Sequence, residues 1–470
     1  MIYMRLLVLV LTLAALPVVC GQSGRAISTP LPTAGSGQIK PMFDEVNGYI
    51  KAKAAEFDAK KRPFSERLLE QVKIEQKQLA ARYASTTDTR TDLAGDDLYY
   101  LGMLHWIAGN YDGTARVLRK YIDDKDAAAD RRQTARSIFV VVAAKQKKLD
   151  DAERGLAEYL KAEPTKITER ARMESELAKA YQEQNDLARM SPHAEEAYKA
   201  AKSVLLESSS RARGLDEILD AGMLVFESYR DQGDQKKADD ALDDMRVTAA
   251  SLQASAFYYY AVDQKIRYMI DTGRKPQALE FYTASLAAAA RDLKTPSQQS
   301  DAISRLKKRE RHYKLLGEPA PEIPATDKWF PGAPRTLAGL KGKVVLLDFW
   351  ATWCGPCIEA FPSLREWQQD YAQEGLVILG LTRFYGNAEG APADAGAELE
   401  YLKKYRVSQK LNYDFVVASD QSGQMTYGAT SLPTTVLIDR HGRVRYIETG
   451  TSTERLGQIR DMIAKLIKEK

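Results

Sequence analysis

Two patterns of hydrophobic and polar positions divide the chain. Over residues 39 to 316, apolar side chains recur every three to four positions in long segments rich in Ala, Leu, Glu and Lys. Beyond Gly317, short apolar runs alternate with helical segments. The first pattern is typical of amphipathic helices, and the second is typical of buried strands joined by helices. The sequence therefore predicts a multidomain protein in which an all-α region precedes an α/β domain.

The helical region carries a weak internal repeat. The segment from Leu98 to Tyr121 is predicted to form a helix, a turn and a second helix, and it resembles a tetratricopeptide repeat (TPR). Turn signals recur at Leu149 and Leu187, 38 positions apart, although a later interval is longer. Units of this length bury their apolar faces by stacking, so we predict a TPR-like helical domain over residues 39 to 316. An irregular helical bundle is the alternative.

The last helix of this region is predicted over Ser297 to Leu316. Gly317 is a favourable residue to follow a helix, and two prolines shortly after it prevent the helix from continuing. We therefore place a domain boundary at Gly317 and expect residues 317 to 470 to fold without the helices. The elements predicted beyond it are strand Val344 to Phe349, helix Ile358 to Tyr371, strand Leu376 to Leu381, helix Ala397 to Tyr405, strand Phe415 to Ala418, strand Thr435 to Ile438, strand Val444 to Glu448 and helix Glu454 to Ile467.

One motif carries distinctive chemistry. In residues 344 to 357, V-V-L-L-D-F-W-A-T-W-C-G-P-C, an apolar strand delivers Cys354 and Cys357 to the start of a helix. Unpaired N–H groups and the helix dipole favour a thiolate there, and such pairs have thiol pKa values of about 3.5 to 7, against about 8.5 for a free thiol. Cys354 is therefore predicted to be the nucleophile. Cys357, one turn further on, is predicted to lie deeper and to resolve the mixed disulfide.

A zinc site and a structural disulfide are the alternatives for this pair. Zinc needs four ligands, but the chain has one other cysteine, Cys20, and four histidines, at positions 105, 193, 312 and 441, without the usual ligand spacing. A disulfide that closes so short a loop stabilises a fold little, which favours a role in exchange. We therefore predict disulfide exchange with no metal and no cofactor.

The motif and two flanking segments resemble the thioredoxin superfamily. W-A-T-W-C-G-P-C, the preceding G-K-V-V-L-L and the later S-L-P-T-T-V-L-I-D are similar to those of TlpA/ResA-type thiol–disulfide oxidoreductases. The resemblance implies a thioredoxin-like domain over residues 317 to 470 that begins with a short hairpin. It implies that Pro433 is a cis-proline facing the cysteines, although the residues alone also allow an ordinary turn proline. Leu432, Trp353, Gly355 and Pro356 are then expected to bind substrate.

Asp348 lies in the predicted buried strand, six residues before Cys354. A buried carboxylate is unfavourable unless it is paired or protonated. The resemblance assigns this position to the aspartate that takes and returns the proton of the inner thiol, here Cys357. Many TlpA/ResA-type proteins instead have Asn here and Glu three residues after the second cysteine, where this chain has Ala360. We predict a catalytic role for Asp348 and a solvated helix face for the neighbouring Glu359.

A segment rich in Gly, Ala and Pro, residues 386 to 396, follows the strand from Leu376 to Leu381. That strand should lie parallel to the first strand of the domain, so its carboxyl end opens on the same edge as Cys354. The insertion is therefore predicted to form a lip that contributes to substrate specificity.

The first 20 residues resemble a secretory signal peptide. Arg5 supplies the positive charge, and the apolar stretch from Leu6 to Val19 is shorter than the roughly 20 residues of a membrane span. Residues 21 to 38, rich in Ser, Gly, Thr and Pro, are predicted to be a flexible tether. Cys20 is a candidate lipid anchor, and its removal by cleavage is the alternative. We expect an extracytoplasmic location, in the periplasm or cell envelope, where a disulfide-exchange pair is useful.

Charge excludes some classes of partner. The chain has 68 Lys and Arg against 64 Asp and Glu, interspersed, so neither nucleic acid nor an anionic membrane surface is indicated. The basic run Lys307-Lys308-Arg309 is interpreted as solvated helix surface.

These observations predict an exported thiol–disulfide oxidoreductase that acts in the reducing direction. The Gly-Pro between the cysteines matches thioredoxin, whose potential of about −270 mV is lower than the roughly −180 mV of an isomerase. The expected partners are protein disulfides and dithiols and a membrane electron donor. The alternative is a TPR-like interaction scaffold with a vestigial redox domain, which the presence of Cys354, Cys357, Asp348 and Pro433 together disfavours.

Overall fold

The computed structural model describes residues 39–61, 65–207, 214–324 and 328–469. The predicted signal peptide and tether, with Cys20, lie outside these residues. The described residues form two compact units that divide between Ala127 and Ala128. The boundary predicted at Gly317 lies inside the second unit and stays a prediction. Within the described ranges, no helix has both the length and the apolar character needed to cross a membrane.

The first unit is helical throughout its described elements. These are α1 (Ile39–Ala59), α2 (Glu66–Thr87), α3 (Asp96–Ala108) and α4 (Tyr111–Asp123). Gly109 follows α3 with a left-handed φ of 73°, and Asn110 caps α4 by accepting a hydrogen bond from the Gly113 amide. The predicted helix, turn and helix are thus confirmed, while their interpretation as a tetratricopeptide repeat stays a prediction.

The second unit begins with a further series of helices, which confirms the predicted all-α region. They are α5 (Ala129–Lys145), α6 (Leu149–Leu160), α7 (Ile167–Glu183), α8 (Leu187–Glu207), α9 (Leu215–Asp231), α10 (Gln235–Ser251), α11 (Ser255–Asp271), α12 (Lys275–Asp292) and α13 (Pro296–Leu315). Thr295 and Gln298 form a capping box at the start of α13. The helix ends one residue before the predicted Leu316, and Gly317 follows it with a φ of 80°.

The rest of this unit contains a mixed six-stranded sheet and further helices. Its elements are β1 (Lys328–Phe330), a 3-10 turn (Ala338–Leu340), β2 (Val344–Phe349), α14 (Gly355–Tyr371), β3 (Leu376–Arg383), β4 (Asn387–Ala388), β5 (Ala391–Pro392), α15 (Ala395–Ser408), β6 (Asp414–Ala418), α16 (Ser422–Thr426), β7 (Thr434–Ile438), β8 (Val444–Thr449) and α17 (Thr453–Lys468). The strand order is β1-β6-β3-β2-β7-β8, and β4 pairs with β5 in a separate hairpin. Strands β6, β3 and β2 are parallel, and β1, β7 and β8 are antiparallel to their neighbours.

The predicted strands are confirmed with ends that shift by at most two residues. The expected leader hairpin is not found among the described residues before β2. Instead, β1 pairs with the outer strand β6. This pairing covers the backbone groups of β6, which an exposed sheet edge would leave unpaired.

A buried network of charged groups joins α11 and α13 to strand β8. Arg309 Nε lies 3.3 Å from Asp263 Oδ1, and its Nη1 lies 3.7 Å from Glu448 Oε1. Arg267 Nη1 lies 3.3 Å from Glu448 Oε2 and 3.7 Å from Asp263 Oδ2. Tyr313 OH donates a 2.6 Å hydrogen bond to Asp263 Oδ1. Burial alone would raise the pKa of Asp263, but the two guanidinium groups outweigh it and hold this pKa below its usual value.

This network corrects one prediction from the sequence. Arg309 is only 6% exposed, so the interpretation of the whole basic run as solvated surface is wrong for this residue. Lys307 and Lys308 are exposed, as expected. The difference arises because neighbouring helical positions point in different directions, and position 309 faces carboxylates that are distant in sequence.

The substitution Arg309→Met is expected to lower the free energy of unfolding by about 3 kcal/mol. It leaves two buried carboxylates to share Arg267, and breaking a buried ion pair is strongly destabilising. Urea unfolding followed by tryptophan fluorescence measures the change.

Arg305→Met is the matched control on the same helix. Arg305 pairs at the surface with Asp301 at 2.8 Å, so its loss should lower stability by less than about 1 kcal/mol. Equal effects of the two substitutions would show that the buried network does not stabilise the fold.

Candidate redox site

The end of β2 places the two cysteines at the start of α14. The helix begins at Gly355, three residues before the predicted Ile358, with Pro356 in its first turn. Proline is favourable there because its missing N–H would have no partner within the helix. Cys354 is the N-cap residue, and the Cys357 amide donates a 3.2 Å hydrogen bond to Cys354 Sγ.

Cys354 and Cys357 are joined by a disulfide in this structure, with their Cα atoms 5.3 Å apart. Cys354 is 5% exposed and Cys357 is 1% exposed, so the second cysteine lies deeper, as expected. In the reduced protein, the free N–H groups of the first helical turn and the helix dipole favour a thiolate at Cys354. The geometry therefore suits an outer nucleophile and an inner resolving thiol.

An exposed aromatic rim borders the cysteines. Trp353 is 64% exposed, and its ring packs edge to face against Tyr385 at 5.4 Å. The Arg383 guanidinium lies 4.2 Å from the centroid of the Tyr385 ring. Gly355 and Pro356 are also exposed. An exposed indole of this kind offers a polypeptide an apolar contact next to the disulfide.

The segment before β7 lies at the same sheet edge. The Leu432–Pro433 peptide bond is cis, as predicted. Thr434 begins β7 and pairs with Phe349, the last residue of β2. The Gly450 amide donates a 2.8 Å hydrogen bond to Pro433 O. These contacts place Pro433 at the end of β2 from which the chain continues to the cysteines, while its contact with substrate stays a prediction.

The insertion after β3 is held by a single buried carboxylate. Glu398, which is 3% exposed, accepts hydrogen bonds from the amides of Tyr385 at 2.9 Å, Gly386 at 2.8 Å and Asn387 at 3.3 Å. These bonds fix the backbone that presents Tyr385 to Trp353. Sequence reasoning missed Glu398, because its partners are backbone amides that carry no side-chain signal. The role of the insertion as a specificity lip stays a prediction.

Asp348 is 2% exposed and lies between Gly380 of β3 and Thr435 of β7 in the sheet. Because side chains alternate along a strand, it shares a face with Leu346, which belongs to the same core cluster as Cys357. Burial raises the pKa of Asp348 to about 7, and its Oδ2 has no hydrogen-bonding partner among the residues that the structure describes. This carboxyl group can therefore gain or lose a proton near neutral pH.

Gly380 leaves space for three aromatic side chains next to Asp348. A Cβ at this position would lie 3.1 Å from each of Phe415 Cδ1, Trp350 Nε1 and Tyr413 Cε2. Burial, and next the nearby charge of Asp348, raise the pKa of Tyr413. Sequence reasoning missed Tyr413. A lone glycine within a strand pattern was the available signal, since it indicates close approach of other groups.

The other candidate residues lie outside this arrangement. Glu359 is exposed on α14 and Ala360 is buried. His441 lies in the turn between β7 and β8, as predicted, and His312 is buried with its Nε2 3.0 Å from Gly428 O. In the part of the chain that the structure describes, no group of three or more His, Cys, Asp or Glu residues could hold a metal ion.

Comparison with known proteins adds four likenesses. Residues 315–465 match the Redoxin family model. The chain is 32% identical over 141 residues to thiol-disulfide oxidoreductase ResA of Geobacillus thermodenitrificans, a match that covers 30% of this chain and 72% of that protein. It is 30% identical over 140 residues to the thioredoxin-like protein YneN of Bacillus subtilis, covering 30% of this chain and 74% of that protein. A crystal structure of a thiol:disulfide interchange protein from Chlorobium tepidum is 23% identical, with a TM-score of 0.26, and the match covers 32% of this chain and 97% of that one.

A mixed sheet that carries a cysteine pair at a helix N-terminus defines a thioredoxin-like redox domain, and the predicted fold class is confirmed. The chain belongs to the ResA family of thiol–disulfide oxidoreductases. It is therefore an oxidoreductase. The matched residues cover the sheet domain, and the helices before residue 315 lie outside them.

The substitution Asp348→Asn is expected to change how stability depends on pH. The folded-state pKa of about 7 lies above the ordinary value of 3.8, so between these pH values the folded protein holds a proton that the unfolded chain releases. The stability of the parent protein therefore falls as pH rises through this window. Asparagine carries no such proton, so the stability gain of the variant should grow by about 4 kcal/mol between pH 4 and pH 8.

Urea unfolding of the oxidised proteins at several pH values measures this gain. Asp370→Asn, at an exposed position of α14, shows the effect of the same substitution at the surface. A gain for Asp348→Asn that is the same at pH 4 and pH 8 would contradict the raised pKa.

Proposed function

We propose that this chain is an exported thiol–disulfide oxidoreductase that reduces protein disulfides through Cys354 and Cys357. The observation that carries the proposal is the position of Cys354 as the N-cap of α14, together with a buried Asp348 whose pKa is about 7. The Gly-Pro between the cysteines supports the reducing direction, because thioredoxin carries the same pair and has a potential of about −270 mV.

The first step forms a mixed disulfide. The Cys354 thiolate attacks one sulfur of the substrate, the substrate S–S bond breaks, and the other substrate sulfur leaves as a thiolate that takes up a proton. The helix N-terminus lowers the pKa of the attacking thiol. The substrate lies on a surface formed by Trp353, Gly355, Pro356 and Leu432.

The second step releases the product. Cys357 gives its proton to Asp348, and its sulfur attacks Cys354 Sγ. The second substrate sulfur leaves as a thiolate that takes up a proton from water, Asp348 releases its own proton to solvent, and the Cys354–Cys357 disulfide forms. Two electrons have then passed from the cysteine pair to the substrate. An external dithiol then reduces the Cys354–Cys357 disulfide and is itself oxidised to a disulfide.

The compartment and the partners follow from the N-terminal sequence. The signal-like residues 1 to 20 support export to the periplasm or cell envelope, with Cys20 either a lipid anchor or removed by cleavage. A reductase in an oxidising compartment needs electrons from across the membrane, so we assign a membrane electron donor. The TPR-like helical domain of residues 39 to 316 orients the redox domain or recruits its partners.

The substitution Cys354→Ser is expected to reduce insulin reduction to the rate of reductant alone, because serine cannot form the mixed disulfide. Turbidity of insulin with dithiothreitol measures the rate, and circular dichroism checks the fold. Cys20→Ser makes the same change at a cysteine outside the redox pair and should keep full activity. Activity of the Cys354→Ser variant equal to that of the parent would refute the assignment.

The substitution Cys357→Ala is expected to trap the first intermediate, because no inner thiol remains to resolve it. Non-reducing electrophoresis and mass spectrometry should find substrates bound through Cys354, and the Cys354→Ser/Cys357→Ala double variant should trap none. Equal trapping by the two variants would contradict Cys354 as the nucleophile.

A further inference from the structure

One side of α13 carries a row of exposed basic side chains. Lys307, Arg311 and Lys314 are four and three positions apart, so they lie on one face of the helix, and Lys308 adjoins them. All four side chains are exposed. Four positive charges on two turns repel one another unless negative charge lies nearby.

The helix is fixed against the loop that leads to Pro433. Arg311 Nε donates a 2.8 Å hydrogen bond to Thr426 O. Burial lowers the pKa of His312 to about 4, so the ring is neutral, and its Nε2–H donates a 3.0 Å hydrogen bond to Gly428 O. The basic row therefore has a set position next to residues 426–428.

A groove of about 420 Å³ lies between this row and the loop, and we call it the α13 groove. Met425, which is 52% exposed, supplies an apolar wall. Glu310 is the one carboxylate among the lining residues, and it pairs with Lys314 at 2.6 Å. The lining thus has four cationic groups and one carboxylate. Among the ion pairs found in the described residues, none involves Lys307 or Lys308.

We propose that the α13 groove binds an acidic stretch of the polypeptide whose disulfide is reduced at Cys354. The proposal rests on the proposed function and adds a substrate class to it. Thr430 lines the groove and is three residues from Pro433, at most about 10 Å along an extended chain. A substrate chain that runs from Pro433 along this loop therefore meets the groove within about three residues. Complementary charge of this kind selects partners and speeds their association.

The shape of the site favours a polypeptide over a lipid surface. Both α13 and the loop of residues 425–430 line the groove, so a chain that lies in it contacts two elements at once. Met425 is the apolar side chain among the lining residues, whereas a membrane-bound surface presents several large apolar groups together with its basic ones.

The test compares three peptides with the same disulfide loop and with flanks of Asp and Glu, of Ser and Gly, or of Lys. With dithiothreitol as reductant, the parent protein should reduce the acidic peptide with a kcat/KM about fivefold above that of the neutral one, from two to three surface charge pairs. This ratio should fall toward one in the Lys307→Gln/Lys308→Gln variant and in high salt.

The matched control is Lys236→Gln/Lys237→Gln, which removes two adjacent exposed lysines of α10 and should keep the parent ratio. Turnover of the neutral peptide should be the same in all three proteins. Equal kcat/KM for the acidic and neutral peptides in the parent overturns the proposal, and so does an unchanged ratio in the Lys307→Gln/Lys308→Gln variant.

Two further outcomes separate the competing accounts. In the first, the parent protein sediments with vesicles of phosphatidylserine and phosphatidylcholine, the Lys307→Gln/Lys308→Gln variant does not, and the ratio of kcat/KM between the acidic and neutral peptides is the same in both. This result overturns the proposal in favour of a lipid surface. A parent protein that reduces none of the three peptides refutes the proposed function itself, whereas one that reduces all three equally refutes only the role of the groove.

Discussion

The junction between β2 and α14 is the constraint on which the site depends. Every residue of β2 is buried, and Trp350 directly after it packs edge to face on Phe361 of α14 at 5.6 Å. The chain must therefore leave the sheet and begin a helix within five residues, and Cys354 is the residue that caps this helix. The chemistry of the thiol follows from this position, because the free N–H groups of a first helical turn stabilise negative charge.

The burial of β2 also explains why Asp348 can take up and release a proton near neutral pH. Asp348 and Asp263 are both buried, yet their pKa values move in opposite directions. Asp263 has two arginines around it, which overcome the unfavourable desolvation of its charge. For Asp348, burial disfavours the charged form, and this desolvation raises the pKa to about 7. The first carboxylate keeps its charge and joins α11 and α13 to the sheet, and the second remains free to exchange a proton.

Local signals were sufficient to predict much of the redox domain. Apolar runs and turn residues predict β2, β3, β6, β7 and β8, and the cysteine motif predicts the deeper position of Cys357. The cis Pro433 is predicted by the family resemblance, since the residues alone also allow an ordinary turn proline. The helix α14 begins three residues before the predicted Ile358, because Gly355, Pro356 and Cys357 form its first turn.

Contacts between distant residues could not be predicted in the same way. Glu398 accepts hydrogen bonds from backbone amides, and Tyr413 lies beside Gly380, which is distant in sequence. Arg309 was misjudged because its neighbours Lys307 and Lys308 are indeed exposed, and only the packing of α13 on β8 shows which side of the helix is buried. The ion pairs that join α11 and α13 to β8 can therefore be identified only from the folded structure.

The most direct measurement of the central claim is the rate at which Cys357 resolves a mixed disulfide on Cys354. Stopped-flow absorbance at pH 7 follows both the attack of Cys354 on a chromogenic aromatic disulfide and the release of the second aromatic thiol. With Asp348→Asn, the release should slow by about 100-fold or more while the first attack keeps its rate, because the carboxyl group serves only the inner thiol. Equal release rates in the variant and the parent would show that Asp348 takes no part in proton transfer and that its raised pKa is only a consequence of burial.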